Sequence, residues 1–352
     1  MKLIMKEIFS IVLVLVGALI GAGFASGQEI YSFFYCYGIY GFFGILLTCF
    51  LISFLIYKVS KIVFINEIDT YEEFLGLFIK NSKMIKIINF ILNILLVASF
   101  YIMIAGFGAY FEQEIGIHKL IGSLTLIILC FLVFLTNVKG VLKANEYIVP
   151  FLMICVIIIG IINISTGTNI EHLLNIPKIK KGWILSAIIY CSYNLILLIP
   201  VIISLRKHIS KEKNIKYIAI LTNAIIMILS LVIYMLLTKS DVDISTLELP
   251  AVYIIRKFFA QFKTIYAFVI LSSIFTTAIS IGIGFLQNVS KDKKSYTQFL
   301  LFLCISSLLI SNFGFSKLVN FSYPIFGYIG IVQILAIFRL KLNKKYCKNK
   351  HL

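Results

Sequence analysis

Charge is scarce in this sequence: 13% of its 352 residues are Asp, Glu, Lys or Arg, against about a quarter in an ordinary soluble domain. That shortage excludes a water-facing fold. Tryptophan occurs once and proline five times, so little in the chain forbids long helices. The four histidines, His118, His172, His208 and His351, all lie outside the apolar runs, which rules out an HExxH metal site or a histidine proton relay in the membrane. The seven cysteines (Cys36, Cys49, Cys130, Cys155, Cys191, Cys304, Cys347) are scattered and odd in number, with no CxxC spacing. Neither a disulfide framework nor a zinc site is supported. There is no GxSxG elbow and no pair of intramembrane aspartates, so hydrolytic chemistry has no nucleophile or dyad to use and an enzyme is not expected.

What is abundant is apolar: 61% of the residues are hydrophobic. A membrane-spanning helix needs about 20 such residues in a row. Ten segments qualify, at roughly 8–32, 38–62, 84–111, 119–138, 146–165, 183–205, 215–238, 264–288, 296–313 and 318–340. The expectation is an all-α polytopic membrane protein of ten transmembrane helices in a single domain, 1–352, ending in a basic tail at 341–352. No cleavable signal peptide is expected, because the first run continues past its glycines without a small-residue cleavage site and a polar sequel. The formal charge of +17 comes from short Lys/Arg clusters between apolar runs, without interleaved aromatics, so it does not point to nucleic acid. Counted on alternating sides, 23 of the 32 basic residues share the side of the N-terminus. Both termini are therefore expected in the cytoplasm, with the lipid bilayer as the chain's first partner.

Two loops carry more than a connection. "DTYEEFLGLFIK" (69–80) begins with capping residues and acids and places Phe74, Leu75, Phe78 and Ile79 on one face, which predicts a short amphipathic helix on the cytoplasmic surface. "STLELPAVYIIRKFFAQF" (245–262) has an internal proline, an apolar face and Arg256/Lys257 opposite. It predicts an external helix, either a lid or an interfacial anchor.

The first segment contains "GALIGAGFASGQEI" (17–30), with Gly17, Gly21, Gly23 and Gly27 followed by a carboxylate at Glu29. Its GxxxG spacings suit close helix packing. They do not explain Ser26, Gln28 and Glu29, since uncompensated polar groups at that depth cost several kcal/mol. A discontinuous helix that exposes backbone groups to an ion or solute accounts for both. In a chain of two halves the sixth segment corresponds to the first, and "WILSAIIYCSYNLILLIPVIISL" (183–205) carries Ser186, Tyr190, Ser192, Tyr193, Asn194 and Pro200. It is either broken as well or kinked at Pro200. The eighth contains "LSSIFTTAISIGIGF" (271–285), where Ser273, Thr276 and Thr277 share a helical face. These hydroxyls either bond back to their own helix or converge on a hard cation.

"GALIGAGFASGQEI" and "YCSYNLILLIP" resemble the signatures of the YkvI-type bacterial membrane proteins, over essentially the whole chain. Those are distant relatives of the amino acid–polyamine–organocation superfamily, whose type structure is the LeuT fold. The resemblance implies two inverted five-helix repeats, about 8–165 and 183–340, with the first and sixth helices discontinuous, in a bacterial plasma membrane. It implies a sodium site made by the carbonyls of Gly17, Ile20 and Ser273 and the hydroxyls of Thr276 and Thr277. A second common sodium site, which uses the substrate's own carboxylate, is not identifiable. No cofactor is expected other than such a sodium ion. Substrate contacts are expected from the amides of Gly21, Gly23, Ser26 and Gly27, from Tyr193 and Asn194, and from Tyr101 as a wall. Glu29 departs from the pattern. It either caps the second half-helix or couples transport to protons, since closure of the site would desolvate it. The function implied is ion-coupled transport of a small polar solute, such as an amino acid; the rival is a sensor or assembly protein that keeps the fold without flux.

Overall fold

The computed structural model describes residues 2–165, 179–239, 244, 247, 249–310 and 315–341. Leu342 to Leu352, which hold nearly all of the expected basic tail, lie outside the described residues, as do His172, Lys178, Ser245, Thr246 and Glu248.

The apolar first run makes α1 (Lys2–Leu19), and the helix stops where Gly21 takes an extended conformation, φ −82° and ψ −174°. A single turn, α2 (Ala22–Ala25), follows. A second interruption comes at Gly27, whose φ of 81° lies in the left-handed region that a side chain disfavours. The chain resumes as α3 (Gln28–Ile30) and a π-helical turn, Tyr31–Tyr35. The first segment is thus discontinuous, as expected.

Long helices then alternate with short loops: α4 (Ile39–Ile65), α5 (Tyr71–Leu75), α6 (Ser82–Tyr110), α7 (Lys119–Phe134), α8 (Asn137–Ser165), α9 (Trp183–Leu205), α10 (Asn214–Leu237), α11 (Pro250–Phe258), α12 (Lys263–Val289), α13 (Lys293–Ile310) and α14 (Phe315–Arg339). Among the described residues six helices are long and apolar enough to cross a membrane: α4, α6, α8, α9, α10 and α12. Two of these form the inside of the bundle, for 83% of the apolar window of α9 and 89% of that of α12 is buried, against 39–56% for the others. α12 packs against α1, α6, α8 and α9, while α9 packs against α4 and α14. Both inner helices therefore flank the broken first segment.

α9 corrects an expectation. It is one uninterrupted helix of 23 residues, although Pro200 lies within it. The polar residues that suggested a break have partners that leave the helix whole: Ser192 donates to the Ile188 carbonyl at 2.6 Å and Asn194 to that of Tyr190 at 2.9 Å. Hydroxyls and amides satisfied by their own helix give it no reason to open.

The loop helix between α4 and α6 is also shorter than expected. Thr70 caps it through the Glu73 amide at 3.2 Å, and it ends at Leu75, just before Gly76. Tyr71 and Phe74 are buried in protein rather than laid on a surface, and the Tyr71 amide donates to Asn288 of α12 at 2.9 Å. In the same loop Asp69 accepts from Arg206 at 2.6 Å, at the end of α9. Burial there pushes the Asp69 carboxyl up, but Arg206 and Lys207 outweigh it and hold the group below the usual carboxylate range.

Candidate functional site

Where α1 stops, the carbonyls of its last turn lose the amides that a continuing helix would supply. The Val16 carbonyl still receives the Ile20 amide at 2.9 Å. The next carbonyls turn to α12 instead: the Thr277 hydroxyl lies 2.7 Å from the Gly17 oxygen and 3.0 Å from the Ile20 oxygen. A hydroxyl has one proton and cannot fully serve two acceptors, so three oxygens face one point. Thr276 donates to the Ser273 carbonyl at 3.1 Å, and the Ser273 hydroxyl turns to Ile270 at 2.7 Å, leaving its carbonyl as the group of interest. Ser273 and Thr276 are fully buried and Thr277 nearly so. Of the five oxygens expected for a cation, three are in direct contact and the other two are paired one turn away on the same helix. A set of neutral oxygens of this kind suits a hard cation of low charge.

Beyond the second interruption, α3 carries Glu29, buried at 4% exposure. It accepts a hydrogen bond from Tyr193 of α9. The carboxylate also fills the space beside Gly23 that a side chain there would take. Tyr323 of α14 stacks on Tyr193 with centroids 4.8 Å apart, and Tyr190 meets the same ring edge-on at 5.2 Å. Among the described residues no Lys, Arg or His forms an ion pair with Glu29. A cavity of about 470 Å³ opens next to it, lined by Gln28, Glu29 and Phe33, by Leu185, Ser186 and Ile189 of α9, and by Tyr323 and Tyr328 of α14, with Lys180 and Lys181 on its wall. The Gln28 side-chain oxygen is buried there without a donor.

Several expected substrate contacts have other employment. The amides of Ala25, Ser26 and Gly27 bond to the carbonyls of Gly21, Ala22 and Phe24 at 2.9–3.0 Å. The carbonyls of Ala25 and Ser26 receive the Tyr266 hydroxyl at 2.7 Å and the Ala251 amide at 2.8 Å. Ala25 and Ser26 therefore dock α12 and α11 onto the broken segment. α11 buries Ala251, Val252, Ile254 and Ile255 in the protein. Asn194 is held by its own helix. Tyr101 donates to Ser306 of α13 at 2.6 Å and stands outside this constellation; the α6 side chain that faces Gly21 is Met103. Sequence reasoning singled out Glu29 and Tyr193 but missed Tyr323 and Gln28 as neighbours. An aromatic beside Pro324 and Gly327 in the last apolar run was the available signal for Tyr323.

No protein-family model matches the chain. It is similar along nearly its full length to two Bacillus subtilis proteins. The uncharacterised membrane protein YkvI is 28% identical over 94% of this chain and 95% of its own length, and the uncharacterised protein YyaD is 24% identical over 95% and 97%. Among solved structures it is similar in fold to MhsT in complex with L-phenylalanine, with a TM-score of 0.62 at 15% identity, covering 92% of this chain and 87% of that one. It is likewise similar to the Eremococcus coleocola manganese transporter, with a TM-score of 0.60 at 14% identity over 96% and 79%. Both are transporters of the LeuT fold, which this helical chain shares.

Proposed function

We propose that this protein is a secondary active transporter that moves a small polar organic solute, an amino acid or a related metabolite, by alternating access coupled to an ion. In this proposal ten helices span the membrane as two inverted repeats of five, with both termini cytoplasmic. The observation that carries it is the Thr277 hydroxyl held against the carbonyls of Gly17 and Ile20 at the end of α1. A sodium ion there would draw the open end of α1 to α12 and so tie a half-helix to the inner bundle. Gly17, Ile20, Ser273, Thr276 and Thr277 would be its ligands. Solute would enter through the cavity beside Glu29, with Tyr323 in its wall, Tyr193 holding Glu29 behind it and α11 closing over it. The amides at Gly21 and Gly23 would meet a substrate carboxylate.

An organic solute is favoured over a transition metal by the donor set. Among the described residues no group of three or more His, Cys, Asp or Glu side chains could share a metal ion, and such ions need those ligands. The structural neighbour crystallised with L-phenylalanine points the same way. Proton coupling through Glu29 is the second possibility, favoured by its burial beside the cavity without a basic partner.

Purified protein in liposomes separates these outcomes. Solute accumulation driven by an inward sodium gradient and unaffected by Glu29→Gln supports sodium coupling. Accumulation driven by a pH gradient and lost in Glu29→Gln supports proton coupling. Ligand binding with no flux under either gradient would replace the transporter with the sensor.

A further inference from the structure

We infer that Asn145 of α8 contributes a further oxygen to the cation site, so that the ion ties three helices rather than two. The inference rests on the cation site proposed above and deepens it.

Asn145 is fully buried, on a helix that packs against both α1 and α12. Its Nδ2 donates to the Val141 carbonyl at 2.9 Å. A carbonyl can only accept, so the amide cannot be turned around, and Oδ1 must point away from its own helix. It points at Gly17: Oδ1 occupies the space that a side chain at Gly17 would fill, and Thr276 Cβ comes within 3.2 Å of the same position. This close approach is what requires glycine there. The face of Gly17 thus brings together its own backbone, the Asn145 oxygen and Thr276.

Asn145 Oδ1 has no hydrogen-bond donor among the described residues. A buried acceptor left in that state costs about 1–3 kcal/mol. Its surroundings cannot supply the missing proton, because they hold more acceptors than donors. The Thr276 hydroxyl gives its proton to the Ser273 carbonyl, and the carbonyls of Gly17 and Ile20 share the single hydroxyl proton of Thr277. Neither hydroxyl has a proton left for Asn145. A cation satisfies all of these acceptors at once, with the hydroxyl oxygens as further ligands. No carboxylate is in the set, which keeps it suited to a monovalent ion. The neighbouring Glu146 accepts from Ser10 of α1, so the α1–α8 seam is already held together by polar groups. Loss of the ion would leave Asn145 facing Gly17 unpaired and weaken that seam.

The test is thermal unfolding of the full-length protein in detergent, titrated with NaCl against choline chloride at constant ionic strength. Wild type should gain stability with sodium, and Thr277→Val should lose the response. Asn145→Leu keeps the volume and removes the oxygen. It should raise the half-saturating sodium concentration about tenfold or more, the usual scale for removing a group that supports a metal site. Asn145→Asp keeps an oxygen and adds charge; it should still respond to sodium, at a lower half-saturation, and gain a response to calcium. A folded Asn145→Leu protein with wild-type half-saturation would make Asn145 a structural amide and overturn the inference while leaving the site intact. Should Asn145→Leu fail to fold, a folded Asn145→Asp protein with wild-type half-saturation and no calcium response would overturn it equally. A wild-type protein indifferent to sodium would remove the site itself, and the inference with it.

Discussion

The first segment and α9 pose the same problem to the chain: an apolar run of spanning length with polar residues near its middle. They solve it in opposite ways. The first segment opens twice, at Gly21 and at Gly27, and its freed carbonyls find partners outside the segment in Thr277, Tyr266 and the Ala251 amide. α9 stays closed, because Ser192 and Asn194 return their protons to its own backbone. Polar content is therefore not what breaks a helix in a bilayer. A break needs residues that tolerate non-helical angles and neighbours that take over the backbone groups released, since lipid offers neither. α9 has no glycine between Trp183 and Leu205, and of the two only the open segment has carbonyls released by a break to take donors from other helices.

The contrast can be broken most directly at Thr277. Thr277→Val retains shape while removing the hydroxyl that meets both carbonyls, so sodium-dependent stabilisation should vanish; at a concentration a hundredfold above the dissociation constant that loss amounts to about 2.7 kcal/mol. Thermal unfolding with and without sodium measures it. A sodium response that survives would mean the break serves packing alone. A smaller effect is expected from Gly27→Ala, which would place a Cβ at φ 81°, 3.2 Å from Leu237 and 3.4 Å from Ala251. The left-handed conformation costs a side chain about 1–2 kcal/mol, so the melting temperature should fall and α11 should become more accessible to protease. An unchanged protein would show that the second interruption needs no glycine. The smallest effect belongs to α9: Asn194→Leu removes a hydrogen bond within its own helix, should cost about 1 kcal/mol or less, the usual net worth of one, and should leave uptake in place. Loss of uptake at full stability would make Asn194 a ligand contact rather than a group satisfied by its own helix, and would blur the distinction.

Much of this geometry was legible in the sequence. Four glycines followed by Ser26, Gln28 and Glu29 announced the discontinuity, and the i, i+3, i+4 spacing of Ser273, Thr276 and Thr277 put three hydroxyl residues on one face. Those are local properties: backbone freedom and helical period belong to a few consecutive residues. The partners of Tyr101 and Asn194 were not legible for the corresponding reason. Which way Tyr101 points depends on Ser306, 205 positions along the chain, and whether Asn194 faces a ligand or its own backbone depends on what packs against it.

The sequence by itself determined the solvent, the helices and the place of the first break, because apolar length, glycine and charge act within one segment and against the bilayer. Tertiary structure decided the rest. It chose Thr277 as the group that closes over the carbonyls of Gly17 and Ile20, made Tyr193 the partner of Glu29 and aimed Asn145 at Gly17. Each of these is a contact between residues more than a hundred positions apart, or a consequence of one. A buried polar group is satisfied by whichever donor the packing of helices brings within 3 Å or so, and that choice is made only when the bundle assembles.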